Sequence, residues 1–280
     1  MITTRAVVAV AAVVAVGSGV AMGRMPSSAA GDQTPQAAVS SIAATGPSGA
    51  TGATGSTGPQ GSVSEEAYPA SGAAPQLAAA TKENGVSVRS SIKTKNPVFF
   101  ITIDDGWDQP KDAADYVVKS KLPVTVFLTE NAVSGGWDFF KKMATYDRVQ
   151  NHSMTHVALS KKSANRQYEI CSPQTIYSKK YGVKPWILRP PYGAGFMPKR
   201  VTTPLIEKAA AGCGITQIAL WNVSVSKEGK MSFAGNKFQK GDIVLLHFDG
   251  PNLKVHLQMV VREYAKHGLK PASLSAYLTR

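Results

Sequence analysis

Two hydrophobic periods alternate along the C-terminal two-thirds of the chain. Pro97 to Ile103 (PVFFITI) is an unbroken apolar run ending at Asp104-Asp105-Gly106, which predicts a buried strand entering a loop. Lys111 to Lys121 carries helical spacing through Ala114, Tyr116-Val117-Val118 and Leu122, and Pro123 stops it. Val124 to Leu128 predicts a second strand, and Trp137 to Tyr146 a helix with Phe139, Phe140 and Met143 inward. Arg148 to Gln150 is strand-like. Trp186 to Leu188, Ile215 to Leu220 and Ile243 to Leu246 predict further short strands. Lys162 to Lys180, Val201 to Ala211 and Leu253 to His267 predict helices. Strand following helix following strand implies parallel strands joined by right-handed crossovers. With about six or seven strands the pattern fits a barrel or an open doubly wound sheet, and in either the loops after the strands carry the chemistry.

The first ninety residues follow another pattern. Arg5 precedes an Ala/Val run, and residues 6 to 23 are 18 uncharged positions. This reads as an export signal spanning residues 1–30, with small residues for cleavage after Ala30 or Ala21; left uncleaved, it would be an N-terminal anchor. From Met25 to Thr94 there is one aromatic residue, Tyr68, and one leucine, Leu77, too little to offset chain entropy. Residues 31–94 are therefore read as a disordered linker. Within it Gly46, Gly49, Gly52, Gly55, Gly58 and Gly61 form a collagen-like period of three, expected to act as a spacer rather than a stable trimer.

That leaves a folded unit at 95–280, long enough for one core. It carries 26 Lys+Arg against 14 Asp+Glu, a net +12. A basic exported domain suggests an anionic partner such as a cell wall. The positives are scattered and no nucleic-acid motif is present, so nucleic acid is not expected as a partner. The expected setting is secreted or cell-surface, the expected state a monomer, with membrane association only through an uncleaved signal. Cys171 and Cys213 either pair, as an oxidising compartment favours, or remain two buried thiols.

Four short stretches bear reactive side chains. Asp104-Asp105 places two carboxylates at a strand end, where neighbouring side chains point to opposite sides; alone, the pair also fits a polar strand terminus. His152 and His156, at i and i+4, would share one face of a helical turn, close enough for one metal ion. Arg189-Pro190-Pro191-Tyr192-Gly193 is a rigid turn offering a guanidinium fork and a Tyr192 amide. Leu245-Leu246-His247 ends a strand at the rim where a histidine can serve as general acid.

In this order, Thr102-Ile103-Asp104-Asp105-Gly106, His152-Ser-Met-Thr-His156, Arg189-Pro-Pro-Tyr-Gly193 and Leu245-Leu-His247 resemble the polysaccharide deacetylase family with NodB homology. The resemblance implies an α/β fold, a distorted (β/α) barrel with fewer than eight complete repeats. It implies removal of N-acetyl groups from N-acetylglucosamine polymers such as chitin or peptidoglycan. Asp105, His152 and His156 match the metal triad, for one divalent ion, zinc first, with cobalt, nickel or manganese also fitting. Asp104 matches the catalytic base and Arg189 its orienting partner. Tyr192 matches the position whose amide holds the oxyanion, Leu245 the wall beside the acetyl methyl, and His247 the acid. Trp221 opens the stretch Trp221 to Glu228, which in the family carries tryptophan and an aspartate partnering the acid histidine. No aspartate stands there, leaving Asn222, Ser224 or Asp249 as candidate partners of His247. The alternative to an enzyme is a weak or inactive glycan-binding protein of the same fold.

Overall fold

The computed structural model describes residues 84–133, 135–196, 203–248 and 250–278. The export signal, the glycine tract and Asp249 lie outside the described residues. The strands are β1 Ser87–Arg89, β2 Val98–Asp105, β3 Val124–Leu128, β4 Val149–Asn151, β5 Ile187–Leu188, β6 Gln217–Ala219, β7 Val223–Val225, β8 Met231–Phe233, β9 Ile243–His247 and β10 Lys270–Pro271. The helices are α1 Lys111–Lys119, α2 Glu130–Val133, α3 Trp137–Met143, α4 Arg166–Tyr181, α5 Thr203–Gly212, α6 Leu253–Ala265 and α7 Leu274–Tyr277.

The strands form one curled sheet in the order β1-β6-β5-β4-β3-β2-β9-β7-β8, with β10 beside β2. Among the described residues every pairing between these strands is parallel except the β7–β8 hairpin, and a lone antiparallel bridge joins Ser91 to Asp242. This is the distorted barrel that the resemblance implies. It has more strands than the hydrophobic runs suggested, because β7, β8 and β10 are only two or three residues long.

The apolar run of β2 is continuous because both of its faces are covered. Phe99, Ile101 and Ile103 pack outward on Ala113, Ala114 and Val117 of α1 and on Leu257, Val260 and Tyr264 of α6. Phe100 packs inward with Phe127, Ile187, Ala219 and Ile243, sealed by Ile92 and by Leu274 and Tyr277 of α7. A third cluster joins Leu188 and Ile218 to Ile170 of α4 and to Ile206 and Ala210 of α5.

Two boundaries move. The predicted helix from Lys162 begins only at Arg166, because the Asn165 side chain accepts the Tyr168 amide at 3.1 Å and caps it there. The folded unit begins before Lys95: Val86, Ser87 and Ile92 are buried, and β1 lies in the stretch read as linker. That short strand carries too few apolar residues to stand out. The chain after β1 crosses to the start of β9, where Ile92 donates to the Gly241 carbonyl at 2.8 Å. Gly241 has φ 84°, and a Cβ on it would sit 1.8 Å from the Ile92 carbonyl oxygen, so only glycine fits. Cys171 of α4 and Cys213, just past α5, form a disulfide with Cα atoms 4.9 Å apart. Closing a loop of 42 residues is worth about 4 kcal/mol in the chain-entropy account.

Candidate metal centre and active site

The inward face of the sheet changes from apolar to polar as the strands approach their carboxyl ends. Thr102 and Asp104 follow Phe100 at the two-residue period of β2. Leu245 and His247 follow Ile243 in β9, and Asp104 stands in register with His247. Asp105 adopts φ 81°, which breaks the pleat and lets its carboxylate turn to the same opening as Asp104.

Arg189 is fully buried and spends its guanidinium on four acceptors. Nη1 donates to Asp104 Oδ1 at 2.8 Å and to Thr102 Oγ1 at 2.7 Å; Nε donates to the Ala219 carbonyl and Nη2 to that of Leu220. Its plane lies over the Phe127 ring at 4.2 Å, with Trp221 at 5.7 Å on another side. Burial pulls the guanidinium below its ordinary value, opposed by the Asp104 charge. Asp104 is thus held rigidly by one oxygen, while its Oδ2 lies 3.6 Å from His152 Nε2. Trp221, expected to meet substrate, is half-buried and packs against Arg189 and the core.

The two histidines do not share a helical turn. Residues 152–156 form a loop with left-handed backbone at Ser153 (φ 76°) and His156 (φ 60°). Side-chain oxygens outcompete helical carbonyls for its amides. Asn151 Oδ1 takes Ser153 N–H, Glu169 Oε2 takes those of Met154 and Thr155, and Ser153 Oγ takes that of His156. The metal-compatible geometry survives by this other route. His152 Nδ1 lies 2.7 Å from the Arg189 carbonyl, so Nδ1 carries a proton, and in the neutral ring Nε2 turns its lone pair toward Asp105. His156 Nδ1 lies 3.1 Å from Tyr192 Oη, and its Nε2 also faces Asp105.

Asp105 Oδ1 stands 3.3 Å from His152 Nε2 and 3.0 Å from His156 Nε2. It is nonetheless a buried oxygen without a well-aligned hydrogen bond. The three ligand atoms lie within 4.8 Å of one another. Burial alone would raise the Asp105 carboxyl, but its close interactions with the His152 and His156 rings outweigh it and hold it well below the carboxylate range. Burial opposes protonation of His152, but Asp104 and Asp105 outweigh it and raise its pKa. Two imidazole nitrogens and one carboxylate oxygen converging on one point, with an orphaned acceptor among them, fit a divalent metal ion.

The remaining expected residues are placed as follows. Tyr192 lies in a one-turn 3₁₀ segment, Pro191–Gly193, with φ 61°, and its side chain is 66% exposed. Leu245 is buried, in register with Thr102 and with Ser224 of β7. His247 has no carboxylate partner among the described residues. Asn222 is not available to it. Its amide donates to Asp242 Oδ1 and accepts from the Ile243 amide, at the opposite end of β9. Thr102, Asn151, Phe127 and Glu169 were not anticipated. Only Thr102 carried a signal, as the polar residue two before Asp104 in the strand period.

Residues 91–218 match the polysaccharide deacetylase family model. An uncharacterized protein of Streptomyces coelicolor is 30% identical over 194 residues, covering 67% of this chain and 75% of the relative. The chain belongs to the polysaccharide deacetylase family. Among solved structures, Bacillus subtilis PdaA, a family 4 carbohydrate esterase, superposes with TM-score 0.54 at 22% identity, over 68% of this chain and 83% of that one. A family 4 carbohydrate esterase from Streptomyces lividans in complex with acetate gives 0.53 at 20%, over 65% and 94%. A family 4 pseudoenzyme from Bacillus anthracis gives 0.55 at 18%, over 69% of each chain. These similarities extend to the fold.

Proposed function

We propose that this chain is a secreted, metal-dependent hydrolase that removes N-acetyl groups from an N-acetylglucosamine-containing wall polymer, peptidoglycan or chitin-like. The observation that carries the reading is the convergence of Asp105 Oδ1 and both histidine Nε2 atoms beside an Asp104 clamped by Arg189. Asp105, His152 and His156 would hold a divalent ion, which would supply Lewis acidity at this point of the site. Asp104, fixed through Oδ1, takes the proton of the attacking water. The Tyr192 amide donates to the oxygen that becomes negative, and Leu245 lines the space for the acetyl methyl. His247 delivers a proton to the departing amine. The disulfide and the basic charge support an exported protein acting on an anionic wall.

A second reading, a glycan-binding protein with little or no turnover, is favoured by one observation: among the described residues His247 forms no ion pair with a carboxylate. Acetate release separates the two. The full chain with added zinc is incubated with peptidoglycan and with chitooligosaccharides. Acetate from either supports the hydrolase; binding to either without acetate supports the second reading.

A further inference from the structure

The loop that carries both histidine ligands is held by Asn151 and Ser153 side chains, by the Glu130 and Asn131 amides, and at its middle by one side chain of α4, Glu169. Glu169 is only 5% exposed. Its Oε2 accepts the backbone amides of Met154 at 3.1 Å and Thr155 at 2.9 Å, and its Oε1 accepts Thr155 Oγ1 at 2.7 Å. These contacts fall on the residues between His152 and His156. The loop has no helical hydrogen bonds to fix it, and two of its five residues hold left-handed backbone. Among the described residues Glu169 forms no ion pair, and its buried carboxyl oxygens are satisfied by the loop's own donors. Removing such an acceptor leaves the Met154 and Thr155 amides without this partner and frees the segment that sets the distance between the two imidazoles.

We propose that Glu169 is a positioning residue for the metal centre, setting the separation of His152 and His156 by clamping the loop between them. It touches neither metal nor substrate. The proposal rests on the reading of Asp105, His152 and His156 as metal ligands. Partners at this remove from a metal change affinity by about 10–100-fold when lost. Glutamine can keep all three contacts: its carbonyl oxygen replaces Oε2, and its amide nitrogen donates to Thr155 Oγ1, which then accepts.

Zinc affinity of the full chain, measured by chelator competition on wild type, Glu169→Ala, Glu169→Gln and Thr155→Val, tests this. Metal-free thermal unfolding of each is measured alongside. Glu169→Ala should bind zinc about 10–100-fold more weakly, Glu169→Gln should recover most of that loss, and Thr155→Val should lose a few-fold, about one contact's share. Thr155 is exposed, so its variant folds and carries the test if Glu169→Ala does not. Wild-type affinity in folded Glu169→Ala, or in Thr155→Val, overturns the positioning role alone. Equal losses in Glu169→Gln and Glu169→Ala also overturn it, since charge rather than geometry would then matter. No zinc bound by wild type overturns the metal reading and this proposal together.

Discussion

Asp104 and Asp105 are chain neighbours with different surroundings. Arg189 takes one oxygen of Asp104, and two imidazoles face one oxygen of Asp105. Their amides should therefore behave differently. Asp104→Asn is expected to keep stoichiometric zinc and lose turnover by about 10²–10⁴-fold, whereas Asp105→Asn should lose the metal, both read by metal analysis and acetate release. His247→Ala should keep zinc and lower turnover by about 10²-fold; near-full activity would assign the acid to another group. At this scale the side chains that converge were legible, because Asp104, Asp105, His152 and Arg189 each stand in a short motif at or just past a strand end. Their support was not. Thr102 meets Arg189 across a separation of 87 residues, and Glu169 reaches the histidine loop from another element. Local pattern carries no trace of either contact.

The major strands and helices followed the hydrophobic periods, since each buries one face or both. The elements missed were two to four residues long, too short to show a period. Helix α7 is one turn long, capped by Ser273, and its start is tied to Asp147 Oδ2, which accepts from the Leu274 amide at 2.9 Å and from Thr125 Oγ1. Burial raises the Asp147 carboxyl above its ordinary value of 3.8, outweighing the hydrogen bonds that lower it. The folded chain then holds this proton more tightly than the unfolded chain. The group's favourable contribution is fully present below pH ~3.8 and is lost as pH rises through the higher folded value. Asp147→Asn removes the titration and can place an amide nitrogen where Asp147 Oδ1 has no partner. The stability of wild type relative to Asp147→Asn should therefore improve as pH falls from 7 towards 4, measured by urea unfolding at each pH. A gap constant with pH would show that the carboxyl does not titrate in this range.

The curled sheet as a whole depends on the crossing of the segment after β1 to the start of β9. Gly241→Ala forces a side chain into the Ile92 carbonyl at a left-handed position, and a loss of at least ~2 kcal/mol is expected in denaturant unfolding. A variant of wild-type stability would mean that the crossing yields freely. The inner core is capped by Leu274 and Tyr277 of α7, which come last in the described order and meet Phe100 in the strand that opens the apolar pattern. Synthesis delivers β2 long before its cap. Until α7 arrives, Phe100, Phe127 and Ile187 line a trough open to water, and the lost loop entropy of that distant pairing has not been repaid by burial. A chain still emerging during synthesis therefore lacks the last stitch of its inner core. Its folding is timed to the release of the final turns rather than to the appearance of the first strands.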